Sequence, residues 1–328
     1  MRVLMLHEHQ TPPGKGGGGA ESLLRDQTEA LRRLGHSIAW LQGPQIEQAV
    51  EQFRPDVVHV GTIHNFIGME PVQWLQGAGV PHIWAIMDYY PFCKGRMLLR
   101  NYDQPCSAVR GVCDASCEQG RASYLDTVNG SFVVALNPHT ADIYRRNGLR
   151  CDAVVELGVD TDLFSPDPSR TSDGSVSIYT SSAWAEYPAK GMDYLKKAIE
   201  DSRYNVNLMT GLERTQVAAG LKRADLFVFP STYEETWGLC LNEAMATGCC
   251  VIASDVAGAR AQVHDGLGVL VPPRNPLALY EAIDWLSHDH EVRMEMGLLA
   301  REHVAAEHSL EAMGRRWEAV YREVLGGD

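Results

Sequence analysis

The chain has 328 residues, 45% of them hydrophobic and 22% charged, a composition that suits a globular protein long enough for two domains. Its 42 acidic against 29 basic side chains leave a net charge of −13, which opposes docking on nucleic acid or on an anionic membrane surface. Apolar runs such as residues 83–87 fall far short of the ~20 residues that span a bilayer, so no transmembrane segment is expected; the brief apolar start is too short for a secretory signal and points to the cytoplasm.

In chain order, residues 3–6 read as a buried strand, 10–19 as a Gly-rich loop and the stretch from Glu21 as a helix, with Leu23, Leu24, Leu31 and Leu34 at helical spacing and Gly35 as its cap. Strands at 38–41, 56–60, 82–87 and 131–136 then alternate with helices at 46–53, 71–76 and 139–147. Such alternation predicts a parallel sheet covered on both faces. Residues 165–174, dense in Pro, Ser and Asp, read as a linker. Beyond it the pattern repeats: strands at 176–180, 206–209, 226–229, 251–253 and 269–271, with helices at 192–202, 239–247 and 276–287. The expected division is therefore 1–168, 169–308 and a C-terminal helical piece, 309–328. The 12 residues between Gly211 and Ala224 leave room for one helix.

The glycines at 16–19 sit where a strand hands over to a helix, the place at which open α/β sheets bind ligands and glycine lets amides approach a phosphate. They match neither the P-loop pattern nor the full dinucleotide fingerprint, and a plain surface loop is an equally simple reading. Residues 229–248 carry more information. Glu235 precedes a turn at Gly238, and Glu243 lies inside the helix that follows. Amides at the start of that helix, around Leu239 and Cys240, form an anion site, so a carboxylate can meet sugar hydroxyls while the helix end holds a diphosphate.

This segment resembles the E-x7-E region of the retaining, GT-B-fold glycosyltransferases of the family 4 type, the glycosyl transferases group 1, with Glu235 and Glu243 at its two positions. Gly18-Gly19-Ala20-Glu21, Leu34-Gly35-His36, the stretch from Pro55 to His59, Gly158-Val159-Asp160 with Phe164 and Pro166, Lys190-Gly191, residues 224–231 and residues 269–273 fall in the family's order. The resemblance implies an α/β fold of two Rossmann-like, doubly wound domains facing each other across a cleft, the first for an acceptor and the second for a nucleotide sugar. It implies that Glu243 holds the ribose and Glu235 the transferred sugar of a UDP-, GDP- or other NDP-sugar. It further implies that Gly18, Gly19 and Lys190, with Thr236, Gly238 and Leu239, lie by the phosphates. Fixed positive charge and amide dipoles stand in for a divalent metal. The resemblance further implies that the piece 309–328 crosses back to the first domain and that Asp88 stands on the acceptor side.

Departures accompany the resemblance. Ser181-Ser182-Ala183-Trp184 occupies the place where the family commonly has an Arg before the Lys, and Met87 stands where many relatives have a catalytic His, leaving His64 as the nearest substitute.

Cys93, Cys106, Cys113 and Cys117, spaced C-x12-C, C-x6-C and C-x3-C, put four soft ligands on one polar segment. A structural zinc, disulfides and unlinked thiols are all open readings. Cys240, Cys249 and Cys250 read as small core residues, and His7 and His9 as a polar lining. The function expected is transfer of a sugar to a hydroxyl-bearing acceptor. A non-catalytic nucleotide-sugar binding protein, and a sugar-nucleotide epimerase or hydrolase on the same architecture, are the competing readings.

Overall fold

The structure, a computed structural model, describes residues 1–8, 19–63, 65–93, 95–100, 104–111, 124–169, 175–182, 185–264 and 266–327. The chain divides into two compact units: the described residues of 1–12 and 20–157 together with 310–328, and Gly19 with 158–309.

The first unit runs β1 (Arg2–Leu6), α1 (Gly19–Arg33), β2 (Ser37–Leu41), α2 (Ile46–Phe53), β3 (Val57–Val60), α3 (Glu70–Gly77) and β4 (His82–Ala85). It continues with the antiparallel pair β5 (Leu99–Arg100) and β6 (Gln104–Pro105), then α4 (Leu125–Asn129), β7 (Phe132–Ala135), α5 (Pro138–Arg146) and β8 (Ala153–Val154). Six strands form one parallel sheet in the order β2-β1-β3-β4-β7-β8. Every residue of β3 and β4 is buried, as a sheet covered on both faces requires. The polar exception in β3 is His59. Its Nδ1 lies 2.6 Å from the Tyr321 hydroxyl, and its ring packs 4.5 Å from that of Trp317. Burial disfavours the imidazolium and pushes the His59 pKa down to about 3.

The second unit runs β9 (Ile178–Ser181), α6 (Met192–Ile199), β10 (Val206–Met209), α7 (Arg214–Leu221), β11 (Leu226–Phe229), α8 (Leu239–Ala246) and β12 (Cys250–Ser254). It ends with α9 (Ala257–Gln262), β13 (Val269–Val271), α10 (Pro276–His288) and α11 (His290–Glu307). Its sheet is also parallel, in the order β10-β9-β11-β12-β13. The last helix, α12 (Leu310–Val324), belongs to the first unit, where Trp317 and Tyr321 are fully buried.

The division between units falls after Leu157, earlier than the Pro-rich stretch suggests. Phe164 is the reason: fully buried, it joins Leu221, Phe227 and Leu241 in the second unit's core, while its carbonyl accepts a hydrogen bond from Arg301. Val159 donates to the His308 carbonyl at 2.8 Å, so 158–164 is bound into the second unit before the Pro-rich residues are reached.

In each sheet the chain order reverses direction at one gap, between β1 and β3 in the first and between β9 and β11 in the second. Loops leaving the carboxyl ends of two such strands diverge to opposite faces and open a crevice, the general ligand position of open α/β sheets.

Candidate active site

Lys190 arrives from the carboxyl end of β9 and Glu235 from that of β11. Pro188 opens a tight turn over Pro188–Lys190, and Gly191 closes it with φ +71°, a left-handed conformation in which any Cβ would run into the Pro230 carbonyl. That close approach fastens the Lys190 turn to the loop after β11. The Thr232 amide donates to the Ala189 carbonyl at 2.9 Å, reinforced by the Thr232 hydroxyl at 3.2 Å. Arg274 donates to the Thr232 carbonyl from the other side.

The loop 230–238 is held along its whole length. Glu234 accepts the N–H of Ala257, the first residue of α9, at 2.7 Å, and burial raises its pKa against that bond. Gly258 donates to the Glu235 carbonyl at 2.7 Å, and a Cβ on Gly258 would come within 2.9 Å of Trp237 Cα. The buried Gln262 side chain accepts from the Gly238 amide at 3.0 Å and donates to the Gly238 carbonyl at 2.9 Å and to Asn242 Oδ1 at 2.8 Å. Gly238 therefore meets α8 at a fixed angle, and the first turn of α8 presents amides that have no acceptor within their own helix.

Across the gap, Lys190 Nζ donates to Glu235 Oε1 at 2.7 Å and lies 5.1 Å from the centre of the Tyr233 ring. Ser231 Oγ sits 2.9 Å from the same Glu235 oxygen. Burial alone would lower the Lys190 pKa, but the Glu235 carboxylate and Tyr233 more than offset it, so the ammonium is held well above its ordinary range. One helical turn into α8, Glu243 Oε1 lies 3.7 Å from Arg214 Nε, and the guanidinium rests 5.2 Å from the Phe164 ring centre. Cys240 lies within electrostatic reach of Lys190, Glu235 and Glu243. Burial, then the two carboxylates, push its thiol up and keep it protonated. Cys249 and Cys250 are buried core residues as expected, and Cys240, half-buried, packs against the same unit's core within reach of these charges.

Of the residues singled out from the sequence, Lys190, Glu235, Thr236, Gly238, Leu239 and Glu243 thus fall on the loops and helix start around one gap of the second sheet. Gly19 opens α1, while Gly18 and His64 lie outside the described residues, as does His9. His7 is buried, and a Cβ on Gly61 would collide with its ring. Asp88 follows β4 in the first unit, where its carboxylate accepts the Tyr90 N–H at 2.8 Å and its carbonyl the Tyr144 hydroxyl at 3.0 Å. Burial drives its pKa up to about 7, with Glu8 adding to the rise and the Tyr90 amide and Arg96 opposing it. Met87 is contacted by the Thr62 hydroxyl at 3.6 Å from its sulfur.

Cys93 and Cys106 are buried free thiols. Burial pushes the Cys93 thiol up, against the amides of Leu98, Gly95 and Arg96 that point to its sulfur, and the Cys106 sulfur accepts the amide of Ala108 at 3.4 Å. Cys113 and Cys117 lie outside the described residues, and among the described residues no group of three or more His, Cys, Asp or Glu is set to hold a metal. Sequence reading missed Arg214, Gln262, Glu234 and Arg274. Only Arg214 carried a signal, as a cation in the short segment before Ala224.

The fold is that of the GT-B glycosyltransferases. Sucrose-phosphate synthase from Thermosynechococcus elongatus superposes with a TM-score of 0.76 at 17% identity, covering 99% of both chains. HepE of Anabaena in complex with UDP does so at 0.70 and 16%, covering 98% of this chain and 100% of the other. Residues 188–303, which hold the Lys190–Glu235 pair and Glu243, match the family model of the glycosyl transferases group 1. The D-inositol 3-phosphate glycosyltransferase of Corynebacterium diphtheriae is 39% identical over 99 residues, 30% of this chain and 23% of that protein. The alpha-D-kanosaminyltransferase of Streptomyces kanamyceticus is 36% identical over 101 residues, 30% and 26%. The matched stretch thus spans about a quarter of these curated relatives. Among the described residues no helix is long and apolar enough to cross a membrane.

Proposed function

We propose that the protein is a retaining glycosyltransferase that moves a sugar from a nucleotide-sugar donor to a hydroxyl-bearing acceptor without a catalytic divalent metal. The observation that carries this reading is the Lys190–Glu235 pair at 2.7 Å across the β9/β11 gap, its carboxylate buried and its ammonium partly so, inside the stretch that matches the group 1 family model. Glu243 receives the ribose hydroxyls, beside Arg214. Lys190, with Thr236 and the Leu239 amide at the start of α8, receives the diphosphate, while Gly238, whose own N–H is held by Gln262, shapes the turn; Glu235 receives the transferred sugar. In the free enzyme Glu235 holds Lys190 charged and oriented. As the bond between the anomeric carbon and the diphosphate breaks, negative charge grows on the departing oxygen, and a preorganised ammonium and helix amides stabilise it without solvent rearrangement. On the first unit, Asp88 and His64 attend the acceptor; a carboxyl that titrates near neutrality is suited to hold the proton of an attacking hydroxyl. A UDP-type donor is supported by the UDP complex of HepE.

Calorimetry and thermal shift with UDP-, GDP-, ADP- and dTDP-sugars test the reading. One nucleotide that stabilises the native chain but not its Glu243→Ala variant is the expected result, and no stabilisation by any of them would sink it. We also propose a structural zinc for the cysteine segment, supported by four soft ligands on one stretch of chain, of which Cys93 and Cys106 are buried free thiols; metal analysis is expected to return about one zinc per chain.

A further inference from the structure

The β1/β3 gap of the first unit holds an arrangement that the donor chemistry does not use. Phe66, in the loop after β3, is 84% exposed, the most exposed large apolar side chain among the described residues. A single exposed apolar residue is ordinary; one whose backbone a buried carboxylate pins is not. Glu8, just beyond β1, is buried, and its carboxylate accepts the amides of Asn65 at 2.8 Å and Phe66 at 3.0 Å, together with the Asn65 side-chain amide. Arg96 donates to Asn65 Oδ1 at 2.9 Å, and Gly68 closes the loop onto the Ile63 carbonyl at 2.8 Å. A carboxylate has been taken out of water and charge-assisted hydrogen bonds spent to pin the backbone from which the exposed Phe66 ring projects.

We propose that Phe66 is the platform on which the acceptor lies, and that the acceptor presents a pyranose or cyclitol ring to it. The proposal rests on the glycosyltransferase reading and adds the substrate class. Such a ring carries a face of C–H groups that packs on the electron-rich face of an aromatic, while its rim of hydroxyls needs donors and acceptors. Both are at hand: Arg96 is bonded to the Phe66 loop and acts electrostatically on Asp88. An acyl chain would call for contiguous apolar surface, yet Ile63, Ile67 and Met69 of the same loop are turned inward and buried, leaving the Phe66 ring isolated among polar groups.

Saturation-transfer NMR of the full chain with maltose, cellobiose and myo-inositol tests the platform, run beside calorimetry with the nucleotide sugars and cosedimentation with phosphatidylglycerol vesicles. Phe66→Ala and Phe66→Leu are expected to weaken the ring probe that binds by about tenfold, while Phe66→Trp keeps it, because Leu supplies apolar area but no flat face. Donor binding is expected to stay within twofold of wild type in all three variants, which separates failure of the platform from failure of the donor site. Ring binding indifferent to Phe66, absence of binding by any of the three rings, or vesicle binding that depends on Phe66 would each overturn the proposal.

Discussion

Each unit brings a loop from the first strand of its sheet against a loop from the third, yet the two contacts are built from opposite charges. In the second unit a lysine reaches over and a carboxylate holds it; in the first, the carboxylate of Glu8 reaches over and amides hold it. The same backbone frame therefore offers a fixed cation in one unit, suited to a diphosphate, and an exposed aromatic ring on a pinned backbone in the other, suited to a neutral polyol. The topology supplies the crevice, and the side chain that crosses it decides the ligand.

The comparison breaks most sharply at the ion pair. Glu235→Ala and Lys190→Met are each expected to lower turnover by ~10² to 10³, the scale of losing one preorganised charge at the reacting centre, with donor binding hurt more by Lys190→Met. Steady-state kinetics check this, and full activity in both would remove the second crevice from the chemistry. Gly258→Ala touches no ligand but presses a methyl group on the Glu235 carbonyl at 2.8 Å. A shift of about 1 Å in Glu235 is expected to cost roughly 10²-fold in rate, with a melting point lowered by a strain of ~1–3 kcal/mol. Glu243→Ala is expected to raise the donor KM about tenfold with kcat nearly unchanged, since a ribose contact is made equally before and during transfer.

The smallest effect is one of pH, and it sharpens the picture of the first unit. Asp88 has a folded pKa of about 7 against 3.8 for the free group, so the folded chain binds the extra proton and this contribution to stability is lost as pH rises from about 4 to 7. His59 has a folded pKa of about 3 against 6.5, so its contribution has the opposite sign, present above pH 6.5 and lost as pH falls towards 3. Melting curves across this range are expected to steepen their acid loss in Asp88→Asn and to flatten it in His59→Asn. The acceptor-dependent rate of wild type is expected to fall as pH drops through about 7, an inflection absent from Asp88→Asn.

Both sheets were legible because parallel strands buried on two faces leave apolar runs that alternate with helical patterns, and residues 206–209, 226–229 and 269–271 match their strands end to end. The longest helix among the described residues, α11, was not legible. Its buried positions are Arg293, Gly297, Ala300 and Val304, whereas Met294, Leu298 and Leu299 are exposed. Close backbone packing of Gly297 on Gly248 replaces the apolar stripe by which a helix announces itself. At the site, Glu235, Glu243 and Lys190 stood out through their motif. The residues that aim them did not: Gln262, Glu234 and Gly258 lie on or bond to a six-residue helix, AGARAQ, whose sequence has no periodicity to flag. Holding a loop takes one well-placed amide or carboxylate, and a lone polar residue looks the same in sequence whether it clamps a loop or faces water.

The placement of α12 has a consequence for synthesis on the ribosome. Trp317 and Tyr321 are part of the first unit's core, yet they are delivered after all of the second unit. Domains usually complete in the order in which they emerge. Here the first unit must wait with β3 and β4 uncovered by their helix until 158–309 has been made and has folded, so nascent chains arrested before Trp317 should protect the later-made unit from protease and leave the earlier-made one open to cleavage.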